Sequence, residues 1–139
     1  MHGCFLAFIL IQVHPPRTPP TTILVIEDDF DIRDLLQQYL EVSGYEVAVA
    51  TNGLEGLAEI RKSGDQIALV LLDRNMETMD GTIFLDSLLA DAALAAKKIP
   101  VVMMSAGTQP AESRAVAFIK KPFNFPELLA LVARYVPSP

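Results

Sequence analysis

Several positions in this chain combine reactive chemistry with a common setting: each stands at or just beyond the end of a short apolar run. Glu27 and Asp28 follow Ile23–Ile26, Asp73 follows Ile67–Leu72, Ser105 follows Val101–Met104, and Lys121 comes shortly after Phe118–Ile119. Crowded carboxylates repel one another, and a hard divalent cation relieves that repulsion. Magnesium favours near-octahedral oxygen ligation and keeps some of its waters. Glu27, Asp28 and Asp73 would supply oxygens directly or through water, with a backbone carbonyl as a further ligand. An ion held there neutralises charge on an incoming phosphoryl group. Asp73 is then the candidate nucleophile, forming an aspartyl phosphate. Lys121 offers fixed positive charge to one phosphoryl oxygen, and Ser105 offers a hydroxyl donor to another. One acidic pair at a strand end is ordinary solvated surface, but the whole set arriving from four separate strands is not.

The elements that must position these groups alternate between strand and helix from Thr22 onward. Ile23–Ile26 is a β-branched run. Ile32, Leu35, Leu36, Tyr39 and Leu40 then recur at helical spacing, with Asp29 to cap the start and Gly44 the end. Glu46–Ala50 reads as a second strand. Asn52 caps a helix that turns Leu54, Leu57 and Ala58 inward and stops near Gly64. The continuous apolar run Ile67–Leu72 has the character of a central parallel strand. After Gly81 a third helix puts Phe84, Leu85, Leu88 and Leu89 on its core side. Pro100 opens a fourth strand, Val101–Met104, and Phe118–Ile119 forms a brief fifth. Asn124 and Pro126 start a last helix carrying Leu128, Leu129 and Val132. Repeated βα units imply a parallel sheet covered on both faces, and in such sheets the working site lies beyond the carboxyl ends of the strands.

Composition agrees with this and excludes several classes. The chain of 139 residues is 51% hydrophobic, enough for one domain with a real core. A net charge of −6 with no basic cluster argues against direct nucleic-acid binding. The single cysteine, Cys4, allows neither a disulfide framework nor a zinc set, which suits a reducing cytoplasm. Residues 1–21 read as an N-terminal extension and proline-rich linker ahead of a domain at 22–139. The apolar stretch Cys4–Val13 is too short to span a membrane, which takes about 20 residues. It also lacks the flanks of a secretory signal. An accessory extension and a docking anchor both remain open for it, and no membrane association is expected of the domain.

The stretches ILVIEDDFDIR, LVLLDRNMETMDG, the pair Ser105–Ala106 and KKPF at 120–123 together resemble the marker regions of bacterial two-component response-regulator receiver domains of the single-domain, chemotaxis-Y-like kind. The resemblance runs from about Thr22 to the end. It implies a doubly wound, flavodoxin-like α/β fold with a five-stranded parallel sheet in the order 2-1-3-4-5. It also implies a Mg²⁺-dependent switch or relay that takes a phosphoryl group from a histidine kinase or histidine phosphotransfer protein. By resemblance Asp73 is the phosphoacceptor, and Glu27, Asp28, Asp73 and the backbone carbonyl of Asn75 hold the metal. Ser105 is the switch hydroxyl, Phe118 the switch aromatic, and Lys121 the family's lysine, followed by a cis bond to Pro122. Asp29, Asp31 and Asp80 are expected to be capping or loop acids. Activity would be limited to self-catalysed phosphorylation and dephosphorylation, with the output partner unspecified.

Two other functions fit parts of the pattern. A degenerate receiver would bind a partner without phosphorylation, although the intact acids, Ser105 and Lys121 argue against it. A haloacid-dehalogenase-like phosphatase shares a strand-end Asp, and Asp80–Gly81–Thr82 resembles part of its motif. The Asp required two positions earlier is Thr78, however. Two departures from the receiver pattern stand out. Glu77 occupies a place usually held by proline, which implies a looser, more acidic loop. The interval from Ser105 to Lys121 is too short for a three-turn helix of about 11 residues beside its loop and strand. The helix between the fourth and fifth strands is therefore expected to be shortened or missing.

Overall fold

A computed structural model of the chain describes residues 19–107 and 114–138. Strand β1 (Thr22–Ile26) leads to α1 (Phe30–Val42), β2 (Glu46–Ala50) and α2 (Gly53–Ser63). A 3₁₀ turn at Gly64–Gln66 then enters β3 (Ile67–Asp73), followed by α3 (Gly81–Ala90) and the single turn α4 (Ala92–Ala95). Strand β4 (Val101–Ser105), β5 (Ala117–Lys120) and α5 (Phe125–Val132) complete the order. The strands form one parallel sheet, β2-β1-β3-β4-β5, as the resemblance implies.

Caps set the helix starts. Asp29, Asn52, Asp80 and Asn124 each accept a hydrogen bond from a backbone N–H in the first turn of the following helix. These side chains satisfy donors that a helix N-terminus leaves without partners. Gly44, just past α1, has φ 99°, a left-handed conformation that a side chain would resist. Asp91 starts α4 by accepting from Ala93 and Leu94, a turn that hydrophobic spacing does not signal.

The sheet divides the core into two layers. On one face Leu36 and Leu40 of α1 and Leu128 and Val132 of α5 pack with Ile23, Val25, Leu69, Leu71, Val102, Met104 and Ile119. On the other, Leu57 and Ile60 of α2 and Phe84, Leu85 and Leu88 of α3 pack with Leu24, Ile26, Val70, Leu72 and Met103. Every residue of β3 is buried, as befits the central strand.

The helix faces differ from expectation in detail. Leu35, Leu54, Ala58 and Leu89 are exposed, not core-facing. Helix α2 instead buries Gly53, Gly56, Leu57 and Ile60. The reason is close packing: a Cβ at Gly56 would collide with Ile26 Cδ1 and come within 3.2 Å of Phe84 Cε1. Glycine carries the contact face while contributing nothing to hydrophobic periodicity. Between β4 and β5 the described residues 106, 107 and 114–116 form bends and a turn, with no helix among them. The expected short helix at 111–117 falls in part, at 111–113, outside the described residues, and so does the expected extension at 1–21 as far as residue 18. Among the described residues no helix is long and apolar enough to cross a membrane.

This assignment of the α2 face has a direct test. Ile60→Ala should cost about 2–5 kcal/mol of unfolding free energy, whereas Leu54→Ala should change it by no more than about 0.5 kcal/mol. Urea denaturation of the two variants checks the contrast, and equal losses would contradict the face described here.

Candidate functional site

The pleat of the sheet decides which strand-end residues meet. Val25, Leu71 and Ile119 point into the α1/α5 layer. Two residues further on, Glu27, Asp73 and Lys121 point the same way. Ladder bonds carry on past the strands and hold this register: Glu27 N–H donates to Ala50 O (3.1 Å) and Lys121 N–H to Ser105 O (2.9 Å). The side chains converge accordingly. Lys121 Nζ donates to Glu27 Oε1 at 2.8 Å and to Asp73 Oδ1 at 3.1 Å. Carboxylate oxygens of Glu27, Asp28 and Asp73 all lie within 4.8 Å of one another. Glu27 is 1% exposed and Asp73 2%, while Asp28 is open to solvent. The Lys121–Pro122 peptide bond is cis.

Ser105 follows the other parity. Met103 belongs to the α2/α3 layer, so Ser105, two residues on, faces that side, and its Oγ accepts from Gly107 N–H at 3.2 Å. Phe118, half-buried, lies opposite Met103 and packs against the same layer. The Asn75 backbone N–H donates to Asp73 Oδ1 at 3.2 Å. Asp29 and Asp80 are helix caps, as expected, while Asp31 sits exposed in the first turn of α1.

Two supports were not foreseen. Arg33 on α1 donates from one guanidinium nitrogen to Glu27 O at 2.9 Å and to Asp28 O at 3.4 Å, fixing the backbone that carries both acids. It is the first cationic residue after the acidic pair, which is the one signal that could have marked it. Glu77 N–H donates to Asp28 Oδ2 at 3.3 Å. Proline has no N–H, so the departure at position 77 gives the loop a tie to the acidic pair where looseness was expected.

Burial, followed by the hydrogen bond with Asp73, pushes the Glu27 carboxyl up to about 7, against the opposing pull of Lys121. For Lys121 burial works downward, but the Glu27 and Asp73 carboxylates outweigh it and hold the ammonium above its ordinary value. The group offers only hard oxygen donors, one of them solvent-facing so that water can complete a coordination sphere. Its three acids also carry more charge than Lys121 neutralises. This donor set fits magnesium.

A doubly wound parallel sheet with an acidic cluster and a lysine at its carboxyl edge defines a flavodoxin-like α/β domain. The family model for the response regulator receiver domain matches residues 23–133, and the chain belongs to that family. Such domains serve two-component signalling and normally bind Mg²⁺ at an acidic pocket. The chain is 31% identical over 121 residues to sporulation initiation phosphotransferase F of Bacillus subtilis, covering 83% of this chain and 93% of that protein. It is 32% identical over 116 residues to the transcriptional regulatory protein CpxR homolog of Haemophilus influenzae, covering 79% of this chain and 48% of that protein. The chemotaxis protein CheY4 of Vibrio cholerae superposes with a TM-score of 0.73 at 28% identity, over 84% of this chain and 99% of that one. The chain spans about half the length, or less, of several curated relatives it matches.

The raised Glu27 carboxyl sets a pH dependence. Between its ordinary value of 4.5 and about 7, the folded chain without metal holds a proton that the unfolded chain has released. The folded state binds more protons in that window, so stability falls as pH rises through it. Chemical denaturation in chelator should show a loss on the order of a few kcal/mol between about pH 5 and about pH 8. Glu27→Gln should flatten the profile; a variant that retains the wild-type slope would contradict the assignment.

Proposed function

We propose that this receiver domain, at 22–139, accepts a phosphoryl group on Asp73 from a histidine kinase or histidine phosphotransfer protein, in a Mg²⁺-dependent reaction in the cytoplasm. The observation that carries this reading is Lys121 Nζ bridging Glu27 and Asp73 beside Asp28, at the carboxyl edge of the sheet. Glu27, Asp28, Asp73 and the Asn75 carbonyl would hold the metal, which when bound supplies charge neutralisation for the transferring phosphoryl group.

The protein's own groups then divide the work. An Asp73 carboxylate oxygen attacks phosphorus, the P–N bond of a phosphohistidine breaks, and the released imidazole takes a proton from solvent. Lys121 orients Asp73 and meets a phosphoryl oxygen. Ser105 exchanges its contact with Gly107 N–H for donation to another phosphoryl oxygen, and Phe118 follows on the same face. Hydrolysis reverses the state: water attacks phosphorus, the bond to Asp73 breaks, and carboxylate and inorganic phosphate remain. The domain acts as a switch or relay, not as a turnover enzyme. The phosphatase alternative loses its support because Asp80 is the N-cap of α3 within a receiver fold.

Incubation with acetyl phosphate and magnesium, read by intact mass, should add one phosphoryl group to the wild type and none to Asp73→Asn. Wild-type protein that stays unmodified would favour the phosphorylation-independent interaction module instead. Asp28→Asn should weaken magnesium binding about tenfold or more while leaving the metal-free fold no less stable, because it removes a ligand and relieves repulsion. Calorimetric titration showing unchanged affinity would remove Asp28 from the ligand set.

A further inference from the structure

Resting on the phosphoacceptor reading, we propose that Arg74 is a phosphoryl-binding residue, the cation that meets the charge phosphorylation adds at Asp73. Arg74 directly follows the acceptor and continues the β3 ladder, its N–H donating to Met104 O at 2.9 Å. Leu72 points into the α2/α3 layer, so Arg74 takes the same face as Ser105. Asp73 pairs with Met104, so the next step of the register puts Arg74 beside Ser105. Its carbonyl accepts from Gly81 N–H at 2.8 Å, and a Cβ at Gly81 would lie 3.0 Å from Arg74 Cα and 3.4 Å from Asp73 O. Glycine there lets the start of α3 close tightly on the Asp73–Arg74 backbone, so the base of the arginine is rigidly placed.

Several other cations of the fold are already engaged. Arg33 is bonded to carbonyls, Arg61 pairs with Asp91, Lys97 with Asp65, Arg114 with Asp86, and Lys121 with Glu27 and Asp73. Among the described residues Arg74 has no ion pair, and its Nε is shielded from solvent without a hydrogen-bond partner. A shielded donor left unsatisfied is costly, and more so when it is charged. Such a group gains when an anion arrives. Phosphorylation supplies one: converting a carboxylate to an acyl phosphate adds about one negative charge and several acceptor oxygens. Lys121 is already shared between two carboxylates. The planar fork of Arg74 suits phosphoryl oxygens, and Ser105 approaches the same group from the same side.

The test uses beryllofluoride as the phosphoryl mimic, titrated calorimetrically into the full chain with Mg²⁺. Arg74→Gln should weaken beryllofluoride binding about tenfold. The same variant should bind Mg²⁺ alone no more weakly than wild type, because it removes a positive charge near the acids. Arg74→Lys should restore part of the loss. A merely structural role would lower both affinities together, and that outcome overturns the proposal, as does wild-type beryllofluoride affinity in Arg74→Gln. Failure of the wild type itself to bind beryllofluoride would refute the phosphoacceptor reading and this proposal with it.

Discussion

Everything at the carboxyl edge of this sheet depends on one ammonium group shared between two buried carboxylates. Glu27 and Asp73 are almost wholly removed from water, and two such charges side by side would be strongly unfavourable without compensation. Lys121 supplies it at 2.8 and 3.1 Å. Burial, and then the hydrogen bond with Asp73, still push Glu27 toward neutrality against the pull of Lys121, so a divalent cation has something to gain there. The fold therefore carries a stored electrostatic conflict at its working edge and not in its apolar layers.

That conflict can be held because the sheet is parallel. Parallel strands bring all their carboxyl ends to one edge, and the helices that return the chain cover both faces. Alternation then sorts the edge residues. Glu27, Asp73 and Lys121 fall on the α1/α5 side; Ser105 and Arg74 fall on the α2/α3 side. The acidic loop is restrained from two directions, by Arg33 of α1 through its carbonyls and by Glu77 N–H through the Asp28 side chain.

Much of this was legible in the sequence, and the rest was hidden for identifiable reasons. The apolar run Ile67–Leu72 and its terminal Asp73 mark a buried central strand without ambiguity, and the cap residues Asp29, Asn52, Asp80 and Asn124 place the helix starts. The inward face of α2 was misjudged because Gly53 and Gly56 do the packing, and glycine has no hydrophobic signature. Leu35, Leu54 and Leu89 have the hydrophobicity of core residues but lie on the exposed flanks of their helices. At the site, residue types revealed the acids and the lysine. They gave only a weak sign of Arg33, whose partners are the backbone carbonyls of Glu27 and Asp28, and none of the Glu77 amide, a backbone N–H that every residue but proline possesses.

The two faces also separate the strand-end side chains from one another. The Asp73 carboxylate sits on the α1/α5 side, but Ser105 and Phe118 belong to the α2/α3 side. Beyond Ser105 the described part of the connection to β5 is fastened to that second layer: Ala115 is buried in it, Val116 N–H donates to Val101 O, and Arg114 pairs with Asp86 of α3. No described residue of that connection is helical, so α3 is the regular element to which it is tied.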